Sequence, residues 1–141
     1  MVGQSRTVDI PADVKDALKK FRFANNKGTA AISVKIVKAE LAMKVDEDFK
    51  DQTIDEIAEE LPENSPRYVL ISHELKHKDG RISYPLILIN WAPSGSPTDL
   101  MTLHASSLSY FQQTAEVAKV LEVREGAEGL TEKAVEDRLL A

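Results

Sequence analysis

No cysteine occurs anywhere in the 141 residues. That excludes a disulfide framework, a thiolate metal site and a cysteine nucleophile. The glycine-rich phosphate loops G-x-x-x-x-G-K-[ST] and G-x-G-x-x-G are absent, and so is the nucleophile elbow G-x-S-x-G. No pair of carboxylates stands alone in an apolar run, as a tuned acid/base pair would. The longest apolar run, Tyr84 to Ala92, is far too short to span a bilayer. No charged–apolar–small signal segment opens the chain. These absences lead us to expect a soluble intracellular protein without cofactor or metal and without membrane attachment.

What is present is a chain of single-domain length. Its net charge is −5, unevenly spread. Residues 46–63 hold nine acids against Lys50, a local −8 that leaves +3 for the remainder. The overall balance argues against a nucleic-acid partner. The acidic run itself reads as a solvated helix face and loop.

The organising stretch is Pro66 to Ala92, in which two β-rich runs flank the polar segment KHKDGR. Asp79-Gly80 is a strong hairpin signal, because glycine accepts positive φ and aspartate tolerates it. The second run, from Tyr84 to Trp91, is apolar at almost every position, as a strand covered on both faces would be. Pro85 lacks an N–H and predicts a bulge or bend there.

Around this hairpin the chain reads in order. Residues 1–8 are a short polar segment, expected to be flexible, ahead of one domain over 9–141. Asp9 is placed to cap a helix from about Pro11 to Asn25 with Val14, Ala17, Leu18 and Phe21 inward. Thr29 to Lys38 alternates as a strand, and Leu41, Met43 and Val45 continue as its hairpin partner. Thr53-Ile54-Asp55-Glu56 spells a capping box before a helix over 54–60 that Pro62 stops. Ser96, with Pro97 and Asp99, starts a third helix with Leu100, Leu103, His104, Ser107, Leu108 and Phe111 inward. His104 on that stripe reads as a satisfied core histidine. Lys119 to Arg124 is a fifth strand, parallel to its neighbour by its helical crossover. Thr131 caps a last helix with Ala134, Val135 and Leu139 inward.

His73-Glu74-Leu75-Lys76-His77 spells the zinc-protease motif H-E-x-x-H. That chemistry needs both imidazoles on one helix face, one turn apart. Here the motif ends a strand pattern, where residues four apart are separated by roughly 13 Å. A zinc hydrolase is therefore a distant alternative.

The segments LKKFRF at 18–23, LPENSPRYVLISHELKHKDGRISYPLILI at 61–89, Ala105-Ser106-Ser107, QTAEVAKVLEVRE at 113–125 and LTE at 130–132 resemble glia maturation factor. That family belongs to the actin-depolymerising factor homology (cofilin-like) superfamily. The resemblance covers essentially the whole chain. It implies an α/β (α+β) fold with a central mixed five-stranded sheet, four strands antiparallel and one parallel, sandwiched between helices. It implies a non-enzymatic protein that binds the actin-related protein 2/3 complex, debranches actin filaments and inhibits branch nucleation. It further implies weak or no direct actin binding, a monomer, and a cytoplasmic location at branched structures such as cortical patches. A cofilin-type actin-severing protein is the nearer alternative.

One departure bears on that choice. Cofilins grip actin with a K-x-K-M-x-Y-A-S-S element, whereas this chain reads DLMTLHASS at 99–107. Both lysines are gone and Asp99 reverses one charge, which should penalise the cofilin mode. Carried over residue by residue, the resemblance implies a surface joining Gln4, Ser5 and Arg6, the basic ridge Lys19, Lys20 and Arg22, and the helix face Met101, Thr102, Ala105, Ser106 and Tyr110. Such a face can enter a hydrophobic groove while cations fix the rim. Taken alone, the ridge reads as a solvated helix end favoured by the helix dipole, and only the resemblance turns it toward binding. A second surface is the hairpin tip, Lys76, His77, Lys78, Asp79 and Arg81. Ser5 beside Arg6 is a candidate phosphorylation site within the first surface.

Overall fold

A computed structural model describes residues 8–24 and 28–141. Five strands form the main sheet: β1 (Ala30–Val37), β2 (Ala42–Phe49), β3 (Arg67–Ser72), β6 (Leu86–Trp91) and β7 (Val120–Val123). Between β3 and β6 lies a short ribbon of β4 (Leu75–Lys76) and β5 (Ile82–Ser83). The sheet order is β2-β1-β3-β6-β7, antiparallel except for the parallel β6/β7 pair. The helices are α1 (Ala12–Phe23), α2 (Ile54–Glu60), α3 (Thr98–Ala115) and α4 (Glu132–Leu140).

Side-chain alternation along each strand divides the interior into two cores, because successive residues point to opposite faces. One face carries Ile32, Val34, Tyr68 and Leu88 against Val14 and Leu18 of α1 and Phe111 and Ala115 of α3. The other carries Val69, Ile71, Ile87, Ile89 and Trp91 against Ile54 and Ile57 of α2 and Val135 of α4. The middle strands β3 and β6 contribute to both cores, which is why their sequences are continuously apolar. Each such fully buried aliphatic side chain stabilises the fold by about 1.5–3 kcal/mol. No helix among the described residues is long and apolar enough to cross a membrane.

Several local expectations need correction. Asp9 does not cap α1; the cap position is Pro11, without a side-chain bond. Asp9 instead bridges the start of β2, its N–H donating to Leu41 O (2.8 Å) and its carbonyl accepting from Met43 N (2.8 Å). Helix α1 ends at Phe23, and Asn25 lies outside the described residues. Leu41 is no strand residue: it is exposed and left-handed (φ 50) after a short 3-10 turn over Lys38–Glu40. Ser96 does not cap α3; its hydroxyl donates to Pro93 O (2.8 Å), and Pro97 takes the cap position. The Thr53 capping box and the Thr131 cap form as expected.

The acidic run is not all helix face and loop, since Asp46, Glu47 and Asp48 lie in the edge strand β2. There the register slips: Ser33 pairs with Glu47 but Val34 pairs with Val45, leaving Asp46 bulged out. A one-residue slip exchanges the faces of everything beyond it. Val45 accordingly packs on the α1/α3 core, whereas Phe49 packs on the α2/α4 core. The bulge aims Asp46 at the Arg67 guanidinium (2.9 Å). Acids along an exposed edge also discourage strand-to-strand association.

The central hairpin is divided. The β3/β6 ladder stops at Ser72 and Leu86, with His73 N–H donating to Pro85 O (3.1 Å) beyond it. Pro85 has no N–H to return, so pairing lapses and resumes only in the ribbon. Gly80, at φ 92, closes the tip by donating to His77 O (3.0 Å).

Candidate partner-binding surface

Helix α3 lies on the sheet through a buried aromatic stack. The Tyr68 ring sits between His104 (centroids 4.0 Å apart) and Phe111 (4.5 Å), nearly parallel to both. The Tyr68 hydroxyl donates to His104 O at 2.6 Å, and burial pushes its pKa well above the usual phenol value. The His104 Nε2 bonds Asn90 Oδ1 at 2.7 Å. Burial, with a smaller effect from the charge of Arg67, lowers the His104 pKa to about 4, so the imidazole is neutral and donates to the amide oxygen. His104 is thus a satisfied core residue, as its place on the inward stripe suggested.

With that side locked down, the opposite side of α3 faces solvent. Thr102, Ala105, Ser106 and Ser109 are exposed, and Met101 and Tyr110 are half-buried. Thr102 and Ser106 turn their hydroxyls back to Thr98 O (3.0 Å) and Leu103 O (3.1 Å), which leaves a low, uncharged surface. At the head of the helix Asp99 forms an ion pair with Lys38, and this hydrogen bond lowers the carboxyl pKa. The reversed charge is thereby largely balanced, a partner that the sequence did not indicate.

The basic ridge lies at the other end of α3. Arg22 donates to Ala115 O (3.4 Å) and pairs with Glu116 (3.1 Å), and only 16% of its side chain is exposed. It is a strut between the helix ends, with its guanidinium over the Phe23 ring at 4.9 Å. Lys19 and Lys20 are exposed. At 1.5 Å rise per residue, Met101 lies roughly 20 Å along the helix from Ala115, the Arg22 contact. The ridge therefore flanks the Tyr110 end of the face and not its start. Asp9 bonds at Leu41 and Met43, and nearby Lys38 reaches Asp99, so α1 and α3 begin at the same end of the sheet. Gln4, Ser5 and Arg6 lie outside the described residues.

The hairpin-tip residues do gather on one ribbon. Asp79 accepts from Arg81 N (3.1 Å) and Nε (2.7 Å), bonds that lower its pKa. His77 bonds Ser83 Oγ (2.8 Å) across the ribbon, and Lys76 and Lys78 are exposed. His73, by contrast, is buried at the ladder break, between Thr29 Oγ1 (3.0 Å) and Glu136 Oε2 (2.8 Å). The two histidines of the HELKH segment thus have separate partners and share no helix face.

The sequence profile described as cofilin/tropomyosin-type actin-binding protein matches residues 7–140. Glia maturation factor beta of Mus musculus is 39% identical over 131 residues, covering 93% of this chain and 92% of the relative. Glia maturation factor of Drosophila melanogaster is 34% identical over 138 residues, covering 98% and 99%. The chain belongs to the glia maturation factor branch of the cofilin/ADF family. The solution structure of the Caenorhabditis elegans glia maturation factor superposes with a TM-score of 0.81 at 34% identity, covering 98% of this chain and 99% of that one. Actin depolymerization factor 2 of Plasmodium berghei gives a TM-score of 0.79 at 18% identity, covering all of both chains, and shares the fold. Membership places this protein among regulators of actin.

Proposed function

We propose that the protein binds the actin-related protein 2/3 complex at filament branch junctions, promotes debranching and inhibits new branch nucleation. It acts in the cytoplasm at branched structures such as cortical patches, as a monomer, and by binding without catalysis. The observation that supports this most directly is the outer side of α3, where Thr102, Ala105 and Ser106 are exposed and uncharged behind an Asp99 balanced by Lys38. Small side chains let a partner approach the helix closely, and the absent lysines remove the cationic grip expected of an actin-severing relative. Lys19 and Lys20 supply cations at the far rim, and Gln4, Ser5 and Arg6, outside the described residues, belong to the proposed surface by the family resemblance alone. The hairpin tip, with Lys76, His77, Lys78, Asp79 and Arg81, is a second contact.

The test is a branch-lifetime measurement by fluorescence microscopy with purified actin-related protein 2/3 complex. The wild-type protein shortens branch lifetime. Ala105→Glu with Ser106→Arg abolishes the effect, and Lys19→Glu with Lys20→Glu weakens it. Normal debranching by the α3 variant would show the surface to be wrongly assigned. Tight co-sedimentation with bare actin filaments would favour the cofilin-type alternative.

A further inference from the structure

We propose that His73, Glu132 and Glu136 form a binding site for a divalent transition-metal ion, with Zn2+ as its probe. One ring nitrogen of His73 and one carboxylate oxygen from each glutamate all lie within 4.8 Å of one another. Four-coordinate zinc holds nitrogen and oxygen ligands at about 2.0–2.2 Å, which places ligand atoms roughly 3.3 Å apart. His73 Nε2 and Glu136 Oε2 stand at 2.8 Å, so inserting an ion requires them to part by about half an ångström.

Each ligand is aimed by something rigid. The His73 side chain is only 3% exposed. Its Nδ1 faces Thr29 Oγ1 at 3.0 Å. When an ion takes the place of the Nε2 proton that bonds Glu136, and Thr29 Oγ1 accepts the Nδ1 proton, Nε2 presents its lone pair to the cluster, the outer-shell arrangement that orients metal-bound imidazoles. Thr29 Oγ1 also accepts the Glu74 N–H at 3.1 Å, which fixes its place. Glu132 and Glu136 are one turn apart on α4, and that helix is anchored by the Thr131 cap and by Val135 in the core.

Among the described residues no cation is paired with Glu132, although its carboxylate stands beside that of Glu136. Glu132 has no ion pair or hydrogen bond among the described residues, and Lys76, which lines the same cleft, forms no ion pair among them. The cleft has a volume of about 450 Å³ and opens to solvent, leaving room for a water or a partner's side chain as a fourth ligand. One imidazole with two carboxylates favours a transition ion over Mg2+ or Ca2+, which take oxygen shells. The site draws one histidine from the HELKH segment but replaces the other with helix α4. A search for contiguous metal motifs could not find it.

The experiment is calorimetric titration of the EDTA-dialysed full chain with Zn2+, with Mg2+ and Ca2+ in parallel. Expected is saturable one-to-one Zn2+ binding, not reproduced by the other two ions. Glu132→Gln and Glu136→Gln each weaken it at least tenfold, and Thr29→Val weakens it about 10- to 100-fold. His77→Ala leaves it unchanged. Trp91 fluorescence in EDTA must match the wild type for each variant, and exposed Glu132 gives a variant that folds regardless of the others. Absence of saturable Zn2+ binding overturns the proposal. So does an affinity indifferent to both glutamine substitutions, or one lost in His77→Ala, which would place the ion on the hairpin tip.

Discussion

The Tyr68 hydroxyl donates to the carbonyl oxygen of His104 across 2.6 Å of buried space. This bond, with the ring stack around it, sets the rotation of α3 on the sheet and hence which side chains face solvent. Tyr68→Phe keeps the stack and removes the donor. It should cost about 1–2 kcal/mol in urea-induced unfolding, the range for a lost buried hydrogen bond. The proposed debranching should persist in the folded variant, because the phenol is fully buried.

Acid should weaken the fold through His104. Its pKa is about 4 in the folded protein against an ordinary 6.5, so between those values the unfolded chain binds the extra proton. The contribution to stability is complete above pH 6.5, declines as pH falls toward 4, and changes no further below that. The full difference is about 3 kcal/mol. Urea unfolding at steps from pH 7.5 to 4 checks the slope. In an NMR titration the His104 ring protons should stay at their neutral positions down to about pH 5.

The three cations of the α1 ridge should separate on stability. Arg22→Ala removes a largely buried strut to Ala115 and Glu116 and should cost about 1–2 kcal/mol, part of it lost packing of the side-chain stem. Lys19→Ala and Lys20→Ala, both exposed, should stay within about 0.5 kcal/mol of wild type. Thermal unfolding of the three variants decides this. A binding defect in a Lys19/Lys20 variant can then be read as a surface effect, whereas one in an Arg22 variant cannot.

Thr53→Ala should cost about 1 kcal/mol in chemical denaturation, because it opens a reciprocal cap. Thr53 Oγ1 accepts from Glu56 N (3.1 Å) while the Glu56 carboxylate accepts from Thr53 N (2.8 Å). Asp9→Ala should show no comparable helix-cap effect, since Asp9 serves β2 through its backbone.

What could be read from the residues was whatever repeats locally. The Val14–Leu18 stripe, the alternation through β1 and the Thr53 and Thr131 caps each announce themselves within a turn or two. Asp9 and Ser96 have the right chemistry for caps, but prolines at 11 and 97 occupy the positions from which each helix starts. The bulge at Asp46 has no compositional mark, and without it Phe49 would be assigned to the wrong core. Pro85 did mark the broken ladder, although it could not show that the tip becomes a separate ribbon. On the surface, the outward residues of α3 followed from its periodicity. The engagement of Arg22 with Glu116, of Lys38 with Asp99 and of His73 with Glu136 joins residues far apart in the chain, and no local pattern encodes such pairs.

The interruption at Pro85 separates the exposed tip of the ribbon, Lys76 to Ile82, from the register of the main sheet. Beyond the last ladder pair, Ser72 with Leu86, the spans His73–Glu74 and Tyr84–Pro85 lead into it, and within it Leu75 stays buried as its anchor. Tilting or lengthening the ribbon leaves the alignment of Tyr68 with Asn90 and of Leu70 with Leu88 untouched. The protein therefore carries an arm whose reach can be varied, by natural insertion or by engineering, without renegotiating the interior.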